Sequence, residues 1–259
     1  GAGLSSYTLA KALVNQNIYV DVVIQKKINL PDKLRTIGLS KSNIDFFNNS
    51  IINIDKISWK LKKIDIFSDN LKQEKIIKFD NNGDELFSII KNLNLYKILD
   101  KSLSKNKYFK KIISFNNLNL LQNYSLVINT DYNNQITKKY FSRKILKEYN
   151  SVAYTTVFHH EKVQNDTAVQ IFTKRGPLAF LPISEKETSV VYSINNHKNK
   201  KKDNINGLIE SYNYKYKIQK IEKTKSFELK SLSLRSYYYK NILAFGDLLH
   251  RIHPLAGQG

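Results

Sequence analysis

The alternation of apolar and polar positions predicts helices and strands in turn along the first part of the chain. After a glycine-rich turn at residues 1–3, apolar residues recur at helical spacing, which predicts a helix. The run YVDVVI at 19–24 predicts a buried strand, and a short helix is predicted through residues 41–47. Strand-like runs at 57–67 and 74–79 are expected to form a hairpin.

A turn is predicted at 80–83, where the sequence is DNNG. Asp84 is then predicted to cap a helix whose apolar positions extend to Leu99. Another buried strand is predicted at 125–129, and it leads directly to Asp131.

The pattern changes at Val152, where short strands joined by polar turns indicate an antiparallel sheet. A last apolar run, 241–245, predicts a buried strand that ends at Gly246. The four strands predicted for the sheet are 152–158, 167–172, 178–183 and 189–194.

Composition restricts the classes of function. The chain has 259 residues, 42 Lys and Arg against 22 Asp and Glu, and a formal net charge of +20. The basic residues are scattered, and the block at 198–202 is expected to be a solvated loop, so we do not predict a nucleic-acid partner. Attraction to an anionic membrane surface remains an expectation. With no cysteine, disulfides and thiolate metal sites are excluded, and the five histidines form no ligand-like cluster, so no metal is predicted.

The last stretch of the chain carries the most specific motif. Gly246-Asp247 follows a predicted strand, and Pro254, Gly257, Gln258 and Gly259 form a turn downstream. The stretch resembles the G-D-A-A-H-x-x-x-P-x-x-G-Q-G segment of class A flavin monooxygenases. The resemblance implies that Asp247 binds the ribityl chain of FAD and that the Pro-to-Gly-Gln-Gly turn lies against the isoalloxazine.

The first residues carry a second motif. Gly1, Gly3 and Ser6 resemble the G-x-G-x-x-G turn of dinucleotide-binding folds, with serine in the third position. The resemblance implies that this turn holds the FAD pyrophosphate and that Gln25 stands where a carboxylate would hold the adenosine ribose. The strand expected before the turn is not in the sequence, and the chain has no methionine, so we expect a fragment.

Two further positions follow from the same resemblance. Arg35 matches the arginine of the family's D-x-R-x-x-x-L-S segment, which implies an FAD contact. Asp131 matches the aspartate of an Asp-Gly pair near the cofactor. Tyr132 replaces the glycine of that pair, and its side chain is expected to obstruct a close approach of the backbone to the cofactor. No catalytic base is identified.

The string GPLAFLPI at 176–183 resembles the ubiquinone-biosynthesis hydroxylases within this class. The implied fold is an α/β FAD-binding Rossmann-like domain with an inserted mixed or antiparallel substrate-domain sheet. The expected boundaries are 1–50, 84–150 and 236–259 for the FAD domain, and 51–83 and 151–235 for the substrate domain.

The implied activity is hydroxylation of a polyprenylated phenol in ubiquinone biosynthesis, with FAD as cofactor and NAD(P)H and O₂ as co-substrates. Other ubiquinone-biosynthesis proteins are expected partners, and the expected location is cytoplasmic or peripheral to the inner membrane. Two alternatives remain open. One is a class A hydroxylase of a soluble aromatic compound, and the other is a non-enzymatic binding or assembly descendant of the fold.

Overall fold

A computed structural model describes residues 1–24, 30–69, 74–113, 118–195 and 204–251. The helices in these ranges are α1 (Leu4–Asn15), α2 (Lys41–Phe46), α3 (Asn92–Leu103), α4 (Gln135–Tyr140) and α5 (Ile205–Tyr212). The strands are β1 (Val20–Ile24), β2 (Thr36–Ser40), β3 (Ser58–Leu61), β4 (Lys63–Ser68), β5 (Lys75–Asp80), β6 (Phe87–Lys91), β7 (Phe109–Ile113), β8 (Val127–Asn129), β9 (Lys144–His160), β10 (Thr167–Thr173), β11 (Gly176–Pro182), β12 (Glu187–Asn195), β13 (Ile218–Ile221), β14 (Lys225–Leu234), β15 (Tyr238–Tyr239), β16 (Ile242–Ala244) and β17 (His250–Arg251).

Two small parallel pairs form the frame of the first region. β1 pairs with β7, and β8 pairs with β16. α1 leads into β1 and α3 leads into β7, so the two helices run in the same direction. Their faces meet through Tyr7 and Tyr96, whose rings stack with centroids 4.9 Å apart. The predicted opening helix and the strand after it are confirmed.

A mixed nine-stranded sheet forms the second region. Along its main path the order is β17-β14-β9-β12-β11-β10-β4-β5, and β13 also pairs with β9. Its pairs are antiparallel apart from β4 with β10. Phe158, Phe180 and Tyr192 are buried in its core, which α5 covers. The four strands predicted after residue 151 are therefore confirmed, as is the β4–β5 hairpin.

The helix predicted to begin at Asp84 is wrong in its first part. Residues 87–91 form β6, the central strand of a three-stranded sheet with β2 and β3. Ile89 and Ile90 are almost fully buried because both faces of β6 are covered: Ile90 packs in the core that contains α3, and Ile89 in the core that contains Leu61. The helix α3 begins only at Asn92. The segment 32–40, whose polar residues predict a loop before the short helix, contains the strand β2, so that prediction is also wrong.

The expected domain boundaries remain a prediction, although the pairings bear on where the chain crosses between regions. β9 begins at Lys144 and continues without interruption past residue 151. β3 and β6 are hydrogen-bonded partners that lie on opposite sides of the expected boundary at residue 84. No helix in the described ranges is long and apolar enough to cross a membrane.

Candidate cofactor site

A cleft of about 960 Å³ separates the two parallel strand pairs. β1 lines one wall, residues 124–131 line the other, and Leu9 and Leu13 of α1 also face it. Among the described strands, β1 pairs only with β7, and β8 pairs only with β16. Each strand therefore has one unpaired edge. Tyr124 donates a 2.8 Å hydrogen bond across the cleft to Asp21, which raises the pKa of the tyrosine.

The glycine-rich turn lies at one end of this cleft. Gly1, Gly3, Ser6 and Asp131 all line it. The Ser6 hydroxyl is 2.7 Å from the Thr130 hydroxyl, so the start of α1 contacts the loop after β8. A Cβ on Gly1 would come within 2.9 Å of Thr130 Oγ1, whereas a Cβ on Gly3 would meet nothing within 4 Å. Gly1 is thus required by close packing, and the backbone at Gly3 is open.

Helices α1 and α3 both begin without a side-chain cap, and the N-terminus of α1 lines the cleft. Gly3 is the N-cap residue of α1, and Lys91 is the N-cap residue of α3. Neither residue has a side chain that accepts a hydrogen bond from the first N–H groups of its helix. Neither helix has an acidic residue in its first turn. Because α1 and α3 run in the same direction and stack through residues of their second turns, their N-termini lie side by side. Free N–H groups and the helix dipole favour an anion at this position.

The motif at residue 246 lies beside the glycine-rich turn at the start of the chain. Gly246 has φ +66°, in the left-handed region that favours glycine, and a Cβ there would lie 3.2 Å from the Ser5 side chain. The Gly246 turn therefore packs against the first turn of α1. Asp247 follows in a short 3₁₀ helix and is exposed. The structure thus brings Gly246 to the turn that holds Gly1 and Gly3.

A buried polar network holds the Asp131 turn. Asn129, only 2% exposed, donates a 2.7 Å bond to the Thr137 hydroxyl, which itself donates to the Asp131 carbonyl. The Asn134 side-chain amide donates a second 2.7 Å bond to the Asn129 side-chain oxygen Oδ1. Sequence analysis missed this network, although an Asn at a strand end followed by an Asn N-cap was a usable signal. The Asp131 carboxylate accepts a 2.8 Å bond from the Asn133 N–H, so its placement is fixed.

Tyr132 does not obstruct the cleft, contrary to the expectation from sequence. Its ring lies under the Arg251 guanidinium, 5.0 Å from the centroid, and the residue does not line the cleft. Tyr132 has no positive φ, so the backbone here does not require glycine. The aromatic side chain is accommodated by a cation–π contact on the far side of the turn.

Arg35 lies beside the start of α3 rather than along the cleft. Its guanidinium is 4.9 Å from the Phe227 ring centroid, and its carbonyl accepts a 3.0 Å bond from the Asn92 N–H. The Asn92 side-chain oxygen is buried and has no hydrogen-bond partner among the described residues. Buried polar atoms are rarely left unpaired, so this acceptor is suited to a donor from a bound molecule. Asn92 is not among the site residues predicted from the sequence, although with Leu95 and Leu99 it resembles an N-x-x-L-x-x-x-L segment of the class A flavin monooxygenases.

The remaining predicted site residues lie outside the described residues. They are Gln25, Pro254, Gly257, Gln258 and Gly259. Within the described ranges, no group of three His, Asp or Glu side chains could hold a metal ion.

The donors and acceptors at this site fit a dinucleotide such as FAD. Two uncapped helix N-termini suit a diphosphate, and the open backbone at Gly3 allows close approach. Asp131 and Asp247 offer carboxylate acceptors for hydroxyl groups, and Asn92 offers an unpaired amide oxygen. The fit therefore rests on the chemistry of residues drawn from four separate segments of the chain.

Comparison with known proteins agrees with this geometry. No family model matches the sequence. PqsL, a probable FAD-dependent monooxygenase from Pseudomonas aeruginosa, has a similar structure with a TM-score of 0.74 and 14% identity, covering 100% of this chain and 80% of its own. The structure of 2-methyl-3-hydroxypyridine-5-carboxylic acid oxygenase is similar with a TM-score of 0.76 and 12% sequence identity. The match covers 100% of this chain and 76% of the oxygenase. The structure of p-nitrophenol 4-monooxygenase PnpA from Pseudomonas putida DLL-E4 is similar with a TM-score of 0.75 and 11% sequence identity. The match covers 99% of this chain and 74% of PnpA. The chain has the α/β fold of the FAD-dependent monooxygenases.

Proposed function

We propose that this chain binds FAD and acts as an aromatic monooxygenase that uses NAD(P)H and O₂. The observation that carries the proposal is the meeting of the Gly1–Gly3 turn, the Asp131 turn and the Gly246 turn at two uncapped helix N-termini. Structures of similar fold whose names state FAD dependence or oxygenase activity add support.

Each segment has a separate task in this proposal. The first-turn N–H groups of α1 hold the diphosphate, and the carboxylates of Asp131 and Asp247 accept hydrogen bonds from cofactor hydroxyls. Asn92 and Arg35 contact the cofactor at the start of α3. Bound FAD supplies the redox chemistry with oxygen, and the protein positions it and restricts the access of water.

We propose a polyprenylated phenol of ubiquinone biosynthesis as the substrate, with other proteins of that pathway as partners. The support is the 176–183 string, which forms β11. Its Leu178 and Phe180 are buried in the sheet core, so part of that string is explained by packing alone. A soluble aromatic substrate is the second candidate, because two neighbours of the same fold are named for such compounds.

Two measurements test the proposal. Titration of the protein with FAD should quench the flavin fluorescence at a one-to-one ratio, and the complex should oxidise NAD(P)H in the presence of an aromatic substrate. Product analysis with matched phenols, with and without a prenyl chain, then separates the two substrate classes. FAD binding without NAD(P)H oxidation for any phenol would favour the non-enzymatic alternative. Absence of FAD binding would contradict the proposal.

A further inference from the structure

A surface rich in basic and aromatic side chains lies where α4, the start of β9 and the β14–β15 connection meet. We define this basic-aromatic surface as residues 138–140, 143–147 and 235–240, with the sequences KKY, RKILK and RSYYYK. Of these residues only Lys138 also lines the candidate cofactor cleft.

Direct contacts make this surface continuous. The rings of Tyr140 and Tyr239 stack with centroids 4.5 Å apart and planes 16° from parallel. The Arg235 N–H donates a 3.0 Å hydrogen bond to the Arg143 carbonyl. Since β14 and β9 pair up to that point, the three segments lie next to one another at one end of the sheet.

The charge on the basic-aromatic surface has a single sign. The stretches 132–147 and 232–246 contain no Asp or Glu. The adjacent Glu148 is paired with Lys230 at 2.9 Å, a lysine that Glu228 also contacts at 2.8 Å. All the cations of the surface are exposed, namely Lys138, Lys139, Arg143, Lys144, Lys147, Arg235 and Lys240.

Large apolar side chains are exposed among these cations. Tyr238 is 70% exposed, Leu146 55% and Ile145 52%. No described residue covers them. Exposed aliphatic and aromatic groups beside a concentration of positive charge are typical of an interaction surface.

We propose that the basic-aromatic surface docks this protein on a membrane that contains anionic lipids. Cations near such a membrane gain affinity from the lipid phosphates, and tyrosine rings are favoured at the headgroup level. Ile145 and Leu146 decide between lipid and nucleic acid, because aliphatic side chains enter the acyl boundary but offer no stacking platform to bases. The inference is independent of the proposed enzymatic activity.

Vesicle co-sedimentation tests this docking. The full chain is mixed either with phosphatidylcholine vesicles, which are the neutral control, or with vesicles that also contain about 30% anionic phosphatidylglycerol. We expect binding only to the anionic vesicles, weakened by salt. The variant Arg143→Gln/Lys144→Gln/Lys240→Gln should bind about a hundredfold more weakly. Ile145→Ser/Tyr238→Ser should also weaken binding, with less dependence on salt.

A matched control removes three charges elsewhere. Lys97→Gln/Lys101→Gln/Lys105→Gln changes exposed lysines on and after α3 and should leave vesicle binding nearly unchanged. Circular dichroism of each variant verifies folding. The proposal is overturned if the parent protein ignores anionic vesicles, if the control loses as much affinity as the test variant, or if polyuridylic acid binds more tightly than the vesicles.

Discussion

Two buried tyrosine hydroxyls have opposite surroundings. The Tyr7 hydroxyl lies near Tyr96 and Asp100 but makes no hydrogen bond with any described residue. The Tyr216 hydroxyl donates a 2.8 Å bond to the Asn165 side-chain oxygen. Burial raises the pKa of both groups, to about 12 for Tyr216, so both stay neutral at physiological pH.

The two tyrosines should therefore respond differently to loss of the hydroxyl. Tyr7→Phe removes an unpaired buried polar group, so we expect the free energy of unfolding to stay level or rise. Tyr216→Phe removes one bond and leaves the Asn165 oxygen with only its contact to Lys215, so we expect a loss of about 1–3 kcal/mol. Urea denaturation of both variants measures the difference. Equal changes in the two variants would contradict this assignment.

Asp247 should affect the cofactor rather than the fold. It is exposed, and the N-cap residue of its 3₁₀ helix is Phe245, so Asp247 does not hold the capping position. Asp247→Ala should therefore leave the melting temperature of the apo-protein nearly unchanged. Loss of a charge-assisted bond, about 1.5–3 kcal/mol, should weaken FAD binding roughly ten- to a hundredfold. Calorimetric titration measures this, with Asp84→Ala as the exposed control, and an unchanged dissociation constant would contradict the role.

Residue-level sequence analysis succeeded where a motif fixes backbone geometry. Gly1 and Gly246 stand at close contacts with Thr130 and Ser5, and Gly3 lines the same cleft as Gly1 with an open backbone. It failed for Tyr132, because no local pattern shows that Arg251, distant in sequence, provides a place for the ring. Arg35 and Asp247 remain predictions as cofactor contacts.

At the scale of the element, β9 carries a buried histidine at its end. His160 is 1% exposed, and its Nδ1 donates a 2.7 Å bond to the Glu161 carbonyl. Nε2 is then the acceptor for the Thr188 hydroxyl at 3.1 Å. Burial lowers the pKa of His160, with Lys215 and His159 adding to the effect and Glu161 and Glu187 opposing it.

This burial predicts a dependence of stability on pH. The unfolded chain takes up a proton near the ordinary histidine pKa of about 6.5, whereas folded His160 does so only at lower pH. Folding stability should therefore fall as the pH drops below about 6.5. Thermal melts between pH 7 and 5 should show a smaller decrease for His160→Gln than for the parent chain. Parallel pH profiles would show that His160 is not responsible.

Element prediction failed where tertiary pairing overrode local pattern. The 87–91 segment has apolar spacing compatible with a helix, yet its β-branched residues pair with β2 and β3 on both edges. The short strands after residue 151 were predictable because alternation and polar turns mark them in the sequence itself. Boundaries such as Lys144, the start of β9, depend on partners more than 80 residues away.

At the scale of the whole molecule, β1 and β8 line the same cleft, and each has one edge without a strand partner among the described residues. Unpaired edges in apolar surroundings favour the addition of a strand. We expect that the extension Val-Ile-Val-Ile-Val before Gly1 enters the cleft and raises the melting temperature by about 4 °C or more, which corresponds to about 1–2 kcal/mol.

A Gly-Ser extension of equal length is the control for that variant, because it adds chain without apolar side chains. It should not raise the melting temperature. FAD affinity should rise only for the apolar extension, since a strand there would fix the Gly1–Gly3 turn. If both extensions behave alike, the cleft does not accept a strand.

The length of β9 has a consequence for biosynthesis. One edge of β9 pairs with β12, and the other edge pairs with β13 and β14. β9 ends at residue 160 and β14 at residue 234, so the last partner strand is complete 74 residues later. At about 5–20 residues per second, a ribosome adds those residues in roughly 4–15 s. During that time the nascent chain displays a long strand with a vacant hydrogen-bonding edge, which makes this interval the natural point for chaperone engagement or for aggregation.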